Sequence, residues 1–332
     1  MIFRQTMSNS RRKFLKQAGI GVSAAFLTPQ LFSCTSKKME EGPFQQIGIQ
    51  LYTLRDELAK DPVSTLKKIA QTGYNHVETF GVDVQKGSFF GLPVKDFKKI
   101  LEDNNLKTHS GHYDLSKYLS KTHTDKESVE QYVEIAHELG QSYVVAPVTP
   151  MFDINALKSQ DYQYAADQLN KAGELAKKSN IKMGYHNHFW EFRDQPNGTK
   201  GLDILIAFTE PDLVDFELDL YWIEKSGLSP QSYFEKYPNR FSMWHVKDMD
   251  RGFTNPIVGS EQDKLGFEAL MKEIKYAEVG SGSIDFANIC RYAEKSGLKY
   301  AFVEQDDIYM PDKFASIKKS YDYVATKLAN IK

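Results

Sequence analysis

The chain has 332 residues, room for one large domain or two ordinary ones, and its 41% hydrophobic and 26% charged content is that of an ordinary globular protein. Residues 1–33 carry five basic residues (Arg4, Arg11, Arg12, Lys13, Lys16) and no acid, so removing them turns 42 basic against 44 acidic residues into 37 against 44, a net charge of −7. That acidic body argues against nucleic acid as a partner, because phosphate-backbone binding needs a basic face.

The N-terminal segment reads as an address. Ser10-Arg11-Arg12-Lys13-Phe14-Leu15-Lys16 resembles a twin-arginine export motif, and the apolar stretch 18–32 is too short and too rich in small residues for a membrane span. Leu31-Phe32-Ser33-Cys34 resembles a lipoprotein cleavage box, which makes Cys34 the candidate for acylation. The expected division is an export signal over 1–33, a tether over 34–45 and one catalytic domain over 46–332. The expected location is the periplasm, or the cell envelope through the lipid at Cys34, the only membrane contact expected. Cys290 falls in a helical pattern with Phe286, Ile289 and Ala293 and reads as a small core residue.

From Ile47 onward, extended and helical patterns alternate. Residues 46–52 read as a strand and 62–71 as a helix, with Asp61 as N-cap, Pro62 in its first position and Gly73 beyond its end. Residues 75–80 are the next strand, 94–105 helical, 107–112 extended, 128–139 a helix closed by Gly140, and 142–146 a short buried strand. A long amphipathic helix covers 160–178. Apolar runs then fall at 181–185, 213–218, 241–244 and 300–303, with helices near 202–209, 230–235, 284–296 and 314–329. Eight strand-plus-helix units favour a closed (β/α)8 barrel, a TIM barrel, over an open sheet. The 59 positions from His245 to Glu304 have room for a ninth strand at 276–279, but are read as a long loop carrying Gly280-Ser281-Gly282.

Each of the four late runs ends on a residue a metal can use: His186-Asn187-His188, Asp219, His245 and Glu304. Parallel strands gather their carboxyl ends on one face, so residues remote in sequence can converge there. Two imidazoles and two carboxylates suit one divalent cation such as Mn²⁺, Co²⁺, Zn²⁺ or Mg²⁺. The expected ligands are His186, Asp219, His245 and Glu304. The bland readings are a buried, hydrogen-bonded histidine at His245 and a solvated edge strand before Asp219. Alternation places Asp215 and Glu217 on the same strand face as Asp219. His186 and His188 also share a face, so one is expected to bind metal and the other substrate, with Glu191 as a third option. In the first half, Gln50, Tyr52 and Arg55, then Glu78, then His109, Ser110 and His112 fall at strand ends, where polar groups suit the hydroxyls of a sugar. Asn187 and Lys247 join that set, and Trp222 or Trp190 would stack on the sugar's apolar face. A small carbohydrate is the expected partner.

These pieces taken together resemble a known family. Gly48-Ile49-Gln50-Leu51-Tyr52, Gly73-Tyr74-Asn75-His76-Val77-Glu78, Tyr185-His186-Asn187-His188, Asp219-Leu220-Tyr221-Trp222, His245-Val246-Lys247-Asp248, Val279-Gly280-Ser281-Gly282 and Val303-Glu304 are similar in order and spacing to the xylose-isomerase-like TIM-barrel superfamily of sugar and sugar-phosphate isomerases and epimerases. The resemblance implies that Asp219, His245 and Glu304 take the family's Asp, His and second Glu ligand positions. The first Glu position holds His186, and the family's Asp-x-x-His pair becomes Asp219-x-x-Trp222. Arg251 stands where the epimerases place a substrate-binding arginine. The implied chemistry is proton abstraction beside a metal-polarised carbonyl, with Glu304 or His188 as base, giving isomerisation or epimerisation. Loss of a β-substituent from the same intermediate would make a lyase or dehydratase of keto-sugars or keto-glycosides. A non-catalytic sugar-binding lipoprotein is the reading from a different class.

Overall fold

The computed structural model describes residues 44, 46–147 and 154–331. The export motif and Cys34 lie outside the described residues, as does the tether apart from Phe44. Eight strands run parallel: β1 (Ile47–Gln50), β2 (His76–Thr79), β3 (Lys107–His112), β4 (Tyr143–Ala146), β5 (Lys182–His186), β6 (Val214–Asp219), β7 (Met243–Val246) and β8 (Tyr300–Val303). They close in the order β1-β8-β7-β6-β5-β4-β3-β2, the single (β/α)8 barrel that the alternation implies.

Local chemistry fixes the elements at the expected places. Asp61 caps the helix Pro62–Thr72 by accepting from Ser64 N at 3.0 Å, and Gly73 at φ 115° ends it in the left-handed region that a side chain disfavours. Ser128 caps Val129–Leu139 in the same way. Gly48 makes room inside the barrel, since a Cβ there would run into the Phe302 ring. Tyr143, Val145, Met243 and Phe302 pack together in the same interior, as an all-parallel barrel requires.

Three expectations change. Residues 284–296 are not one helix: Asp285 caps at Asn288 N, so a short helix runs Phe286–Cys290 and a second covers Ala293–Ser296. The last helix is α-helical over Lys313–Tyr323 and passes into a π-helical turn at Val324–Leu328. The would-be ninth strand is Tyr276–Ala277, paired antiparallel with Asp248–Met249 outside the barrel, which leaves the barrel with eight. Cys290 is a buried core residue, and burial pushes its thiol up to about 12.

Candidate metal centre and active site

Strand β6 carries three carboxylates on its inward face, one above another. Asp215, near the start, accepts from Tyr143 Oη at 3.0 Å and pairs with Lys182 Nζ at 2.6 Å. Glu217, in the middle, has Oε2 2.8 Å from His112 Nε2, 3.2 Å from His245 Nε2 and 3.3 Å from His186 Nδ1. Asp219 closes the strand. Its Oδ1 caps the next helix by accepting from Tyr221 N at 2.8 Å and Trp222 N at 3.0 Å, which turns Oδ2 toward the barrel mouth.

Barrel register brings the partners to these levels. His186 pairs in register with Glu217, and His245 with Asp219. Glu304 follows β8 directly, and its backbone N donates to Val246 O at 3.2 Å, which seats its carboxylate beside β7. Its Oε2 lies 2.8 Å from His245 Nδ1 and 2.7 Å from Lys247 Nζ. Lys247 also reaches Asp219 Oδ2 at 3.0 Å and Asp306 Oδ1 at 3.0 Å, so one buried ammonium serves three carboxylates.

The structure thus brings together the four residues singled out from sequence: one donor atom each from His186, Asp219, His245 and Glu304 lies within 4.8 Å of the others. His112, His186, Glu217 and His245 form a second such group sharing both imidazoles. The donor set fits a divalent cation by chemistry, being mixed N/O and buried. Orphaned atoms agree: among the described residues, His186 Nδ1, Glu217 Oε1 and Asp219 Oδ2 are buried without a hydrogen-bond partner.

Electrostatics separate these groups. Burial pushes the Asp219 carboxyl up to about 6 against the pull of Lys247. Burial also raises Glu304, but the Lys247 ammonium and the His245 ring outweigh it and hold the carboxyl well below the usual carboxylate range. Burial keeps His186 and His188 well below the ordinary imidazole value, hence neutral, the form that ligates metal.

Above the cluster opens a cavity of about 540 Å³, a volume suited to a small ligand. His112, His186, Lys247, Glu304 and Asp306 supply its polar lining; Tyr52, Phe80, Phe189, Trp190, Trp222 and Tyr276 supply aromatic walls. His188 lies on the cavity, stacked on Trp190 with ring centroids 4.4 Å apart, and Lys247 Nζ sits 5.4 Å from the Trp222 ring centroid.

Other expected site residues fall elsewhere. Gln50 and Glu78 are buried beneath the cavity, Gln50 Nε2 donating to Glu78 Oε2 at 2.7 Å. Asn187 is turned to the protein: its Oδ1 accepts from Asp219 N at 3.2 Å. Glu191 accepts from Tyr185 Oη and from His188 N, away from the metal cluster. Arg251 is exposed and donates to Ser281 O at 3.3 Å, outside the cavity lining, because the chain leaves the barrel along the Asp248–Met249 ladder before reaching it. His109 is not at the rim. It is stacked on Tyr300 and His76, at the start of those strands, beside a register shift in the β2–β3 pairing. Sequence reasoning did not single out Asp306, and it placed Glu217 on the right face without giving it a role. Spacing of two from Glu304 and from Asp219 was the available signal.

Comparison with known proteins agrees with this architecture. The sequence pattern of the family described as xylose isomerase-like TIM barrel matches residues 66–313. An inosose dehydratase of Clostridium perfringens is 26% identical over 260 residues, covering 73% of this chain and 84% of the relative. One of Clostridium botulinum is 28% identical over 217 residues, or 61% and 70% of the two chains. Among solved structures, a sugar phosphate isomerase/epimerase from Parabacteroides distasonis superposes with a TM-score of 0.69 at 30% identity, covering 86% of this chain and 95% of its own. Fold, site position and sequence similarity together place the chain in the xylose isomerase-like TIM-barrel family.

Proposed function

We propose that this protein is a divalent-metal-dependent enzyme that removes a proton from the carbon beside the carbonyl of a sugar or keto-polyol, as an isomerase or epimerase. The carrying observation is the placement of Glu304: its carboxylate lines the cavity while touching His245, one of the two imidazoles common to both donor groups. His186 and His245 would hold the cation, with carboxylates completing the set either on the cavity side (Asp219, Glu304) or on the inner side (Glu217). A bound cation would polarise the carbonyl and acidify the adjacent C–H. Glu304 takes the proton, with His188 the alternative base across the cavity. Tyr52, His112 and Lys247 meet the hydroxyls, and Trp222 and Trp190 take the apolar sugar face.

A second reading, β-elimination of water or an alcohol from the same intermediate, has specific support. The first glutamate position of the family holds His186, and Lys247, 2.7 Å from Glu304, can protonate a leaving oxygen beside the base. Relatives named inosose dehydratase point the same way. The cavity's two cations, Arg55 and Lys247, are paired with Asp307 at 3.0 Å and Glu304 at 2.7 Å, which supports a substrate without phosphate. The twin-arginine-like segment supports action outside the cytoplasm, with Cys34 acylated.

The test is a deuterium-exchange screen in D₂O over aldoses, ketoses and 3-keto-sugars, with and without chelator, followed by product analysis. Metal-dependent exchange with an isomeric product supports the first reading, and loss of water or an aglycone supports the second. Binding of a sugar with no exchange by the metal-loaded protein would leave a carbohydrate-binding protein instead.

A further inference from the structure

The imidazoles of His186 and His245 each present one nitrogen to the cavity side and the other to the barrel interior. On the cavity side stand Asp219 and Glu304; on the interior side stand Glu217, His112 and Glu78. A neutral imidazole has one lone pair, so one ring cannot ligate on both sides without losing its remaining proton. The two sides therefore compete for a single cation.

The interior side has the tighter set of donors. Donors around a cation with bonds of about 2.1 Å lie roughly 3.0–3.4 Å apart. Glu217 Oε2 is 2.8 Å from His112 Nε2, 3.2 Å from His245 Nε2 and 3.3 Å from His186 Nδ1. On the cavity side Glu304 Oε2 is 2.8 Å from His245 Nδ1, but Asp219 Oδ2 is spaced more widely, 3.7 Å from His186 Nε2 and 3.9 Å from His245 Nδ1. That side also has a cation already, since Lys247 Nζ lies 3.0 Å from Asp219 and 2.7 Å from Glu304. A metal ion brought there would meet the ammonium at close range in a buried setting. Among the described residues, two interior atoms, His186 Nδ1 and Glu217 Oε1, are buried without a hydrogen-bond partner, against one on the cavity side, Asp219 Oδ2, which is already ion-paired with Lys247. Glu78 stands on the same side of the rings. Its Oε2 is 2.7 Å from His245 Nε2 and 3.2 Å from His112 Nε2, and its Oε1 accepts from Ser110 Oγ at 2.6 Å.

We propose that the cation is seated on the interior side, held by His112, His186, His245 and Glu217, with Glu78 Oε2, which faces the same ring nitrogens of His112 and His245, at hand as a further oxygen ligand. His112 and His186 line the cavity, so the ion remains within reach of a substrate oxygen. Glu304 is then no ligand and keeps its carboxylate for proton transfer. The inference rests on the reading that the protein is metal-dependent, and it refines which residues do the holding.

X-ray absorption on the full chain, stripped of metal and reloaded with Zn²⁺, decides without any variant: three imidazoles in the shell are expected, and two would overturn the proposal. Zn²⁺ titration of variants is the second measurement. His112→Gln and Glu217→Gln should each weaken binding at least about 100-fold, and Asp219→Asn should leave it within a few-fold. Release of metal by Asp219→Asn with retention by His112→Gln would place the ion on the cavity side. Failure of the wild type to take up Zn²⁺ would also overturn the proposal, leaving an imidazolium–carboxylate network. A three-imidazole shell in a protein that exchanges no substrate proton would instead refute the enzymatic reading alone.

Discussion

Lys247 and Glu304 form the contact on which the site's electrostatics turn: ammonium and carboxylate stand 2.7 Å apart, both buried, at the carboxyl ends of adjacent strands. The pair keeps Glu304 ionised where burial alone would protonate it. The ion pair thus presents a charged base at the cavity wall.

Glu304→Gln should therefore remove the base and leave the fold intact. Exchange of the substrate C–H in D₂O should fall by about 10²–10⁴-fold. The circular dichroism spectrum should remain that of the wild type, with a lower melting temperature because Lys247 and His245 each lose a carboxylate partner. Retained exchange would remove Glu304 from the mechanism.

Replacing the lysine has a different signature. Lys247→Gln leaves Asp219, Glu304 and Asp306 without their shared cation, and breaking a buried charge network in this way costs about 3–5 kcal/mol. Urea unfolding at neutral pH should report a loss of that size, and lowering the pH to protonate the carboxylates should recover part of it.

Trp222 lines the cavity and faces Lys247. Trp222→Ala should raise the KM or Kd for the sugar about 5- to 10-fold, and Trp222→Phe should restore most of it, because an aromatic face suffices for stacking. Equal loss in both variants would mean that the ring packs without touching substrate.

Away from the site, burial pushes the Glu224 carboxyl up to about 7 from its ordinary 4.5. The folded chain thus holds a proton that the unfolded chain releases first. The stability from this group is complete below pH about 4.5 and is lost as pH rises through about 7. Glu224→Gln should melt higher than wild type at pH 8 and match it near pH 4.5. Thermal melts of the two proteins across that range check the sign.

Periodicity made the barrel and the cluster legible. Strand alternation put Asp215, Glu217 and Asp219 on one face, and short apolar runs ending in His186, His245 and Glu304 marked the carboxyl ends. The sequence concealed features that depend on register or on a departure from the barrel. The register shift between β2 and β3 beside His109 arises from pairing between strands and has no local signature. Arg251, which the family resemblance puts at the substrate, lies off the cavity lining because the ladder at Asp248–Met249 leads the chain outward. Lys247 was read as a substrate contact. Its three carboxylate partners come from β6 and from the segment after β8, a convergence that single-strand patterns do not encode.

That same ladder, Asp248–Met249 against Tyr276–Ala277, has an evolutionary corollary. It works as a clasp, returning the chain to the barrel whatever the length of the excursion between its two halves. Phe267 and Met271, both on the cavity, belong to that excursion. Insertions and deletions there would reshape the roof over a substrate without disturbing the strands below, so homologues should diverge in specificity first in this stretch.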